Sequence, residues 1–191
     1  MGVSDADIRP GLLAGDSRTY EVLVRRYHAR VYRLLWAETG SPEDAADLTQ
    51  ETFLSVWRDP RRAGRAEHLD AWLCGVALRH ARSLRRRLSR RASLAPMVPL
   101  QEADDHSEGD SLSRAAEQAE LRDALRALPP KYRHPLLLFA VCGLSHREVA
   151  GALHCTEATA RWRVSEARAR LRRELGMEEE ETDAICAPVV D

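Results

Sequence analysis

A chain of 191 residues with a hydrophobic fraction of 44% has material for one ordinary domain or two small ones. Its apolar runs are too short for a membrane span, and its amino terminus lacks the basic-then-apolar pattern of a signal peptide, so a soluble, cytoplasmic protein with no membrane insertion is expected. A formal net charge of −1 excludes a bulk polycation, yet the charge is segregated. Seven arginines stand over 79–91 without an acid, five acids over 102–110 without a base, arginine returns over 161–173, and an acidic tail begins at Glu178. The cysteines Cys74, Cys142, Cys155 and Cys186 are far apart in sequence and show no metal spacing, which reads as isolated reduced thiols. His154 beside Cys155 lacks the two further ligands a metal needs, so no metal or other cofactor is expected.

In chain order, a short leading segment is followed by a helix capped at Asp16 or Ser17, with Tyr20, Leu23, Val24, Tyr27, Val31, Leu34 and Leu35 at helical spacing up to Gly40. Ser41-Pro42-Glu43-Asp44 starts the next helix: a serine cap, proline in the first turn, and acids near the positive end of the dipole. On it Leu48, Thr49, Thr52, Phe53 and Val56 share one face and Asp47, Gln50 and Glu51 the other, with Leu54 in the middle of the polar side. One leucine on a polar face is by itself ordinary surface. Asp59-Pro60 ends that helix, and an arginine-glycine loop over 61–65 leads to a third, with Leu69, Leu73, Val76, Ala77, His80 and Leu84 on its apolar stripe and Arg79, Arg82 and Arg86 on another face.

Periodicity is lost from Ser89 to about Ser113, where Pro96, Pro99, Gly109 and the acids make linker composition. Beyond it Leu121, Ala124, Leu125 and Leu128 predict a helix that stops at Pro129-Pro130, and another follows in which Pro135 is tolerable only near the first turn. After Gly143, Ser145 and Glu148 fit a capping box. A short helix with Val149, Ala150 and Leu153 turns at His154-Cys155, and Thr156 caps a last helix whose core stripe is Ala160, Val164, Ala167, Leu171 and Leu175. A short helix, a tight turn and a basic second helix are the grammar of a helix-turn-helix. Ala158, Arg161, Trp162, Ser165, Arg168 and Arg172 are expected to point away from the core, where arginine can meet guanine edges or phosphates.

The residues over 42–57 resemble region 2 of sigma-70 family RNA polymerase sigma factors of the extracytoplasmic-function (ECF) type. Ala71-Trp72-Leu73, then Val76-Ala77 and the arginine run, resemble the promoter-melting part of the same domain. Leu125-Arg126-Ala127-Leu128-Pro129, Gly143-Leu144-Ser145, Glu148-Val149-Ala150 and 167–171 resemble region 4. The resemblance implies an all-α chain of two small helical domains, a region 2 bundle over 5–91 and a region 4 helix-turn-helix over 114–176, with a flexible acidic linker over 92–113 and an acidic tail over 177–191.

It also implies a non-enzymatic protein, without a small-molecule substrate, that binds bacterial core RNA polymerase at the β′ clamp helices and the β flap and directs promoter-specific initiation. Asp47, Gln50, Glu51 and Leu54 are then the polymerase face. The −10 element, as melted single strand, falls to Arg61, Arg62, Arg65, Arg79, Arg82 and Arg86. The −35 duplex falls to Arg161, Trp162, Arg163, Ser165 and Arg168. An anti-sigma factor is the further partner expected. The sequence departs from the family pattern at Leu69, Arg79, Ser83, His154, Trp162 and Glu166. Trp162 has two places to go, onto DNA or back onto its own domain. Two rival readings are a sigma-like decoy or adaptor that binds an anti-sigma factor, and a helix-turn-helix regulator acting without polymerase.

Overall fold

The computed structural model describes residues 5–92 and 111–177, and every regular element among them is an α-helix. The first half holds α1 (Asp5–Ala14), α2 (Ser17–Thr39), α3 (Pro42–Arg58), α4 (Pro60–Gly64) and α5 (Leu69–Ala92); the second holds α6 (Ser111–Ala127), α7 (Pro130–Ala140), α8 (His146–Leu153) and α9 (Glu157–Leu175). Residues 93–110 of the expected linker and 178–191 of the expected tail lie outside the described residues, while 111–113 already belong to α6.

The caps follow from the sequence. Asp16 accepts from the amides of Arg18 and Thr19, and Ser41 accepts from the amide of Asp44 with Pro42 at the start of α3. Gly40 closes α2 at φ 69°, donating to the Trp36 carbonyl at 2.7 Å. A side chain there would be strained and would strike the Arg126 guanidinium, 1.8 Å from where its Cβ would lie. The Ser145–Glu148 capping box forms, and Thr156 caps α9. His154 turns the chain between α8 and α9 at φ 54° and ψ 51°, the single left-handed non-glycine among the described residues.

Three elements differ from expectation. The leading segment is a helix, α1, whose Ile8 and Leu12 are buried and which packs on α4. Its pattern is too short to announce itself, and Pro10 sits within it. The loop over 61–65 contains α4, capped by Asp59. Pro135 is the sixth residue of α7, in its second turn, so it forgoes the backbone bond to Lys131; its ring is buried in exchange.

Each half builds a core, and the two cores are joined. Val164, Ala167 and Leu171 of α9 pack with Ala124, Leu128, Tyr132 and Leu136. The opposite side of α7, with Leu137 and Leu138, enters the same buried cluster as Leu34, Leu73 and Leu78 of the first half, together with Cys142, Leu144 and Val149. At this junction Arg133, fully buried, grips Glu38 with two bonds of 2.7 and 2.8 Å. Its remaining donor group reaches the carbonyls of Arg126 at 2.9 Å and Leu128 at 3.3 Å. His134 adds a 3.3 Å contact to Glu38, and Arg126 donates to the Thr39 carbonyl at 3.0 Å. Gly75 lets α5 approach α8 so closely that a Cβ would lie 3.0 Å from the Ala152 carbonyl oxygen.

Candidate functional site

On α3 the apolar side is already used: Leu48, Thr49, Thr52, Phe53 and Val56 are buried against α2 and α5. Asp47, Gln50 and Glu51 are exposed, and Leu54 between them is 37% exposed. Trp57, 54% exposed and one turn on from Leu54, extends this apolar spot, its ring edge-on to Tyr20 with centroids 4.9 Å apart. Sequence reasoning passed over Trp57 as a site residue; its i+3 spacing from Leu54 was the available signal. The face is braced from behind by His80 of α5, whose Nε2 lies 2.9 Å from the Ser55 hydroxyl and whose Nδ1 lies 3.4 Å from Glu51. Burial holds the His80 imidazole below its usual range; Glu51 pulls upward, while Arg79 and Arg87 push down.

The second surface is cationic. Arg61, Arg62 and Arg65 on and after α4 and Arg79, Arg82 and Arg86 on α5 are all exposed. Arg79 is held below the usual guanidinium range by partial burial and then by Arg62 and Arg82, so the fold brings these three positive charges together. Arg82 also contacts His134 of the second half at 3.4 Å. A cleft of about 360 Å³ runs between the halves there, with Arg82, Arg85, Lys131 and Arg163 on its walls and Glu38 and His134 among its lining.

The third surface is α9. Arg161 and Ser165 are exposed and share a face; Arg168 lies on the same side but is half-buried, with its guanidinium 5.3 Å from the Phe139 ring centre. His146, which sequence reasoning also passed over, stacks on Phe139 at 4.8 Å. Burial and then Arg161 hold His146 below its usual range, Glu157 opposes, and Arg168 adds to the depression, so it belongs to this positive patch. Trp162 folds back onto its own domain only in part: its ring meets Tyr132 edge-on at 5.9 Å, yet it remains 57% exposed. Arg163 is elsewhere. Two residues on from Arg161, it points about 200° around the helix and lines the cleft between the halves. Glu166 is ion-paired to Arg170 at 2.7 Å, so its charge is met within its own helix.

Among the described residues no cluster of three or more histidines, cysteines or acids is placed to hold a metal, and no helix is long and apolar enough to cross a membrane. The family models for sigma-70 region 2 and sigma-70 region 4 match residues 23–91 and 118–171. The chain is 30% identical to the ECF RNA polymerase sigma factor SigM of Mycobacterium tuberculosis over 91% of its own length and 85% of that protein's.

This chain belongs to the ECF family of RNA polymerase sigma factors.

The family consists of proteins that bind core polymerase and bring it to promoters. SigE of Mycolicibacterium smegmatis is 32% identical over 86% of this sigma factor, which spans 64% of that longer relative. Two solved structures share the fold: the Bartonella quintana sigma factor RpoE in complex with the anti-sigma factor NepR, at a TM-score of 0.70 with 20% identity, covering 85% of this chain and 99% of that one, and CnrH in complex with the cytosolic domain of CnrY, at 0.66 with 22% identity, covering 90% and 97%. The region 2 match takes in α3, α4 and most of α5, hence the exposed Leu54 face and the arginine cluster; the region 4 match takes in α8 and most of α9, the helix-turn-helix.

Proposed function

We propose that this sigma factor docks on the β′ clamp helices of core polymerase through Asp47, Gln50, Glu51 and Leu54, with Trp57 enlarging the apolar spot. The observation that carries the assignment is the exposure of Leu54 and Trp57 on a helix whose own core face is fully occupied. Apolar area left at the centre of a ring of polar groups loses water on docking, while the polar ring sets the register. The arginine cluster of α4 and α5 then tracks the melted −10 strand, where cations serve a phosphate backbone irrespective of base. Arg161, Ser165 and Arg168, with Trp162 and His146 at the edge, meet the −35 duplex; the β flap is the polymerase contact on the side of the second half.

The test is titration of core polymerase with Leu54→Glu, alongside circular dichroism and thermal melting. Core binding should be lost with helicity and Tm nearly unchanged, because the side chain already faces water. A variant that binds core as tightly as the wild type would remove α3 from the interface and leave the helix-turn-helix regulator as the reading.

An anti-sigma factor is proposed as a further partner. RpoE of Bartonella quintana has one. Supporting it here is the packed arrangement of the two halves, which puts Arg163 in the wall of the cleft and Arg82, though exposed, in contact with His134 across the junction. Co-purification of the tagged chain from its source cells should recover such a protein; recovery of polymerase alone would remove it.

A further inference from the structure

Two thiols that stand 68 positions apart meet at the junction between the halves. The Sγ atoms of Cys74, in the second turn of α5, and Cys142, in the turn after α7, are 3.4 Å apart, and both side chains are buried. Both are free cysteines. A disulfide needs its sulfurs at about 2.05 Å, a small movement from where these lie. Cys74 is next in sequence to Gly75 with its close approach to Ala152, which together with the Arg133–Glu38 grip holds the second half against the first.

Reading a promoter requires those contacts to part, a step that rests on the function proposed above. Centres near −10 and −35 are roughly 25 base pairs apart, about 85 Å at about 3.4 Å per pair. A packed body of this many residues has a radius of gyration of about 15 Å and is only about 40 Å across. The closed arrangement therefore cannot hold both elements, and anything that fastens the halves together withholds the protein from promoters.

We propose that Cys74 and Cys142 are a disulfide-forming pair through which a peroxide locks the two halves closed. When the halves separate, either thiol reaches solvent. Its thiolate attacks one peroxide oxygen, the O–O bond breaks, and a sulfenic acid and water are formed after proton uptake. On closing, the partner thiol attacks the sulfenyl sulfur; the S–O bond breaks, the second water leaves, and the S–S bond forms. Two thiols and one hydrogen peroxide give one disulfide and two waters. Reduction by a dithiol such as thioredoxin reverses it. In the closed, reduced state the hydrogen bond to Cys142 and complete burial push the Cys74 thiol well above its usual range, which protects it from the oxidant until the junction opens.

The experiment uses the full chain with Cys155→Ser and Cys186→Ser, treated with hydrogen peroxide or with dithiothreitol. Non-reducing peptide mapping should find a Cys74–Cys142 crosslink, and the oxidised form should melt about 10 °C higher because the bridge closes a long loop. Run-off transcription with core polymerase should fall at least tenfold on oxidation and return on reduction, while Cys142→Ala and Cys74→Ser, checked for native helicity, should stay active in peroxide and show no rise in Tm. Sulfinic acids without a crosslink would overturn the pairing, and a crosslinked protein that transcribes as well as the reduced one would overturn the locking. If the reduced protein itself yields no transcripts, it is the proposed function that fails, and the crosslink and the melting shift still decide the pairing alone.

Discussion

The arginines of α5 and those of α9 are similar in number and spacing but are treated differently by the fold. On the first-half surface Arg62 and Arg82 converge on Arg79 and, after its partial burial, hold it below the usual guanidinium range, so positive potential accumulates there at some cost to the free protein. On α9 the charges are met within the second half: Arg161 by Glu157 at 3.0 Å, Arg170 by Glu166 at 2.7 Å and by the Tyr132 ring at 4.3 Å, and Arg168 by the Phe139 ring at 5.3 Å. A crowded cluster suits a flexible single strand, which can wrap toward charge. A braced row suits a rigid duplex groove, where side chains must already be in place.

The contrast between the halves matters only if they part, so the largest effect is expected at their junction. Glu38→Gln leaves Arg133 buried without its counter-charge and should cost about 3–5 kcal/mol of closed-state stability, read as a lower denaturation midpoint and a larger radius of gyration in solution scattering. An unchanged radius with an unchanged midpoint would mean the pair does not hold the halves. The same carboxylate sets an acid limit. Burial acts to raise it, but His134 and Arg133 together outweigh burial and hold the Glu38 carboxyl below the usual glutamate range. A depressed acid contributes stability fully above its unfolded pKa and loses it as pH falls through the folded one, so the closed form should loosen in the window below about pH 4.5.

Next in size is the salt dependence of DNA binding. Arg62→Ala with Arg79→Ala should flatten the slope of log affinity against log salt by about 1.4 on single-stranded −10 probes, whereas Arg161→Ala with Arg168→Ala should flatten it by about 1.8 on the −35 duplex. Equal changes on both probes would erase the distinction between crowded and braced arginines. The smallest effect is at the α8–α9 turn. His154→Gly removes the left-handed strain and should raise stability by about 0.5–1 kcal/mol in chemical denaturation, the gain being limited by the looser unfolded chain. A loss of stability would show that the imidazole makes a contact worth more than the strain.

The helices with long regular stripes were legible in advance because periodicity and caps are local: α2, α3 and α9 begin where Asp16, Ser41 and Thr156 said they would. The faces of α3 and α5 were legible for the same reason. Arg163 was grouped with the DNA-facing residues on proximity in sequence, although the helical period already places it opposite Arg161. His146 was missed because the Phe139 ring it stacks on is seven positions away and only the fold brings the two together, whereas Trp57 could have been read from its i+3 spacing to Leu54.

Determined by the sequence alone were the all-helical class, the order of the helices, and the separation of polar and apolar faces, for these depend on contacts a few residues apart. Decided only by the tertiary structure was the junction: that Glu38, which no pattern in the sequence singles out, is the counter-ion of Arg133, and that Cys74 and Cys142, read as isolated thiols, lie 3.4 Å apart. No local pattern encodes such pairs. A buried charge is distinguishable from a solvated one only when its partner across the chain has been brought against it and water has been excluded from both.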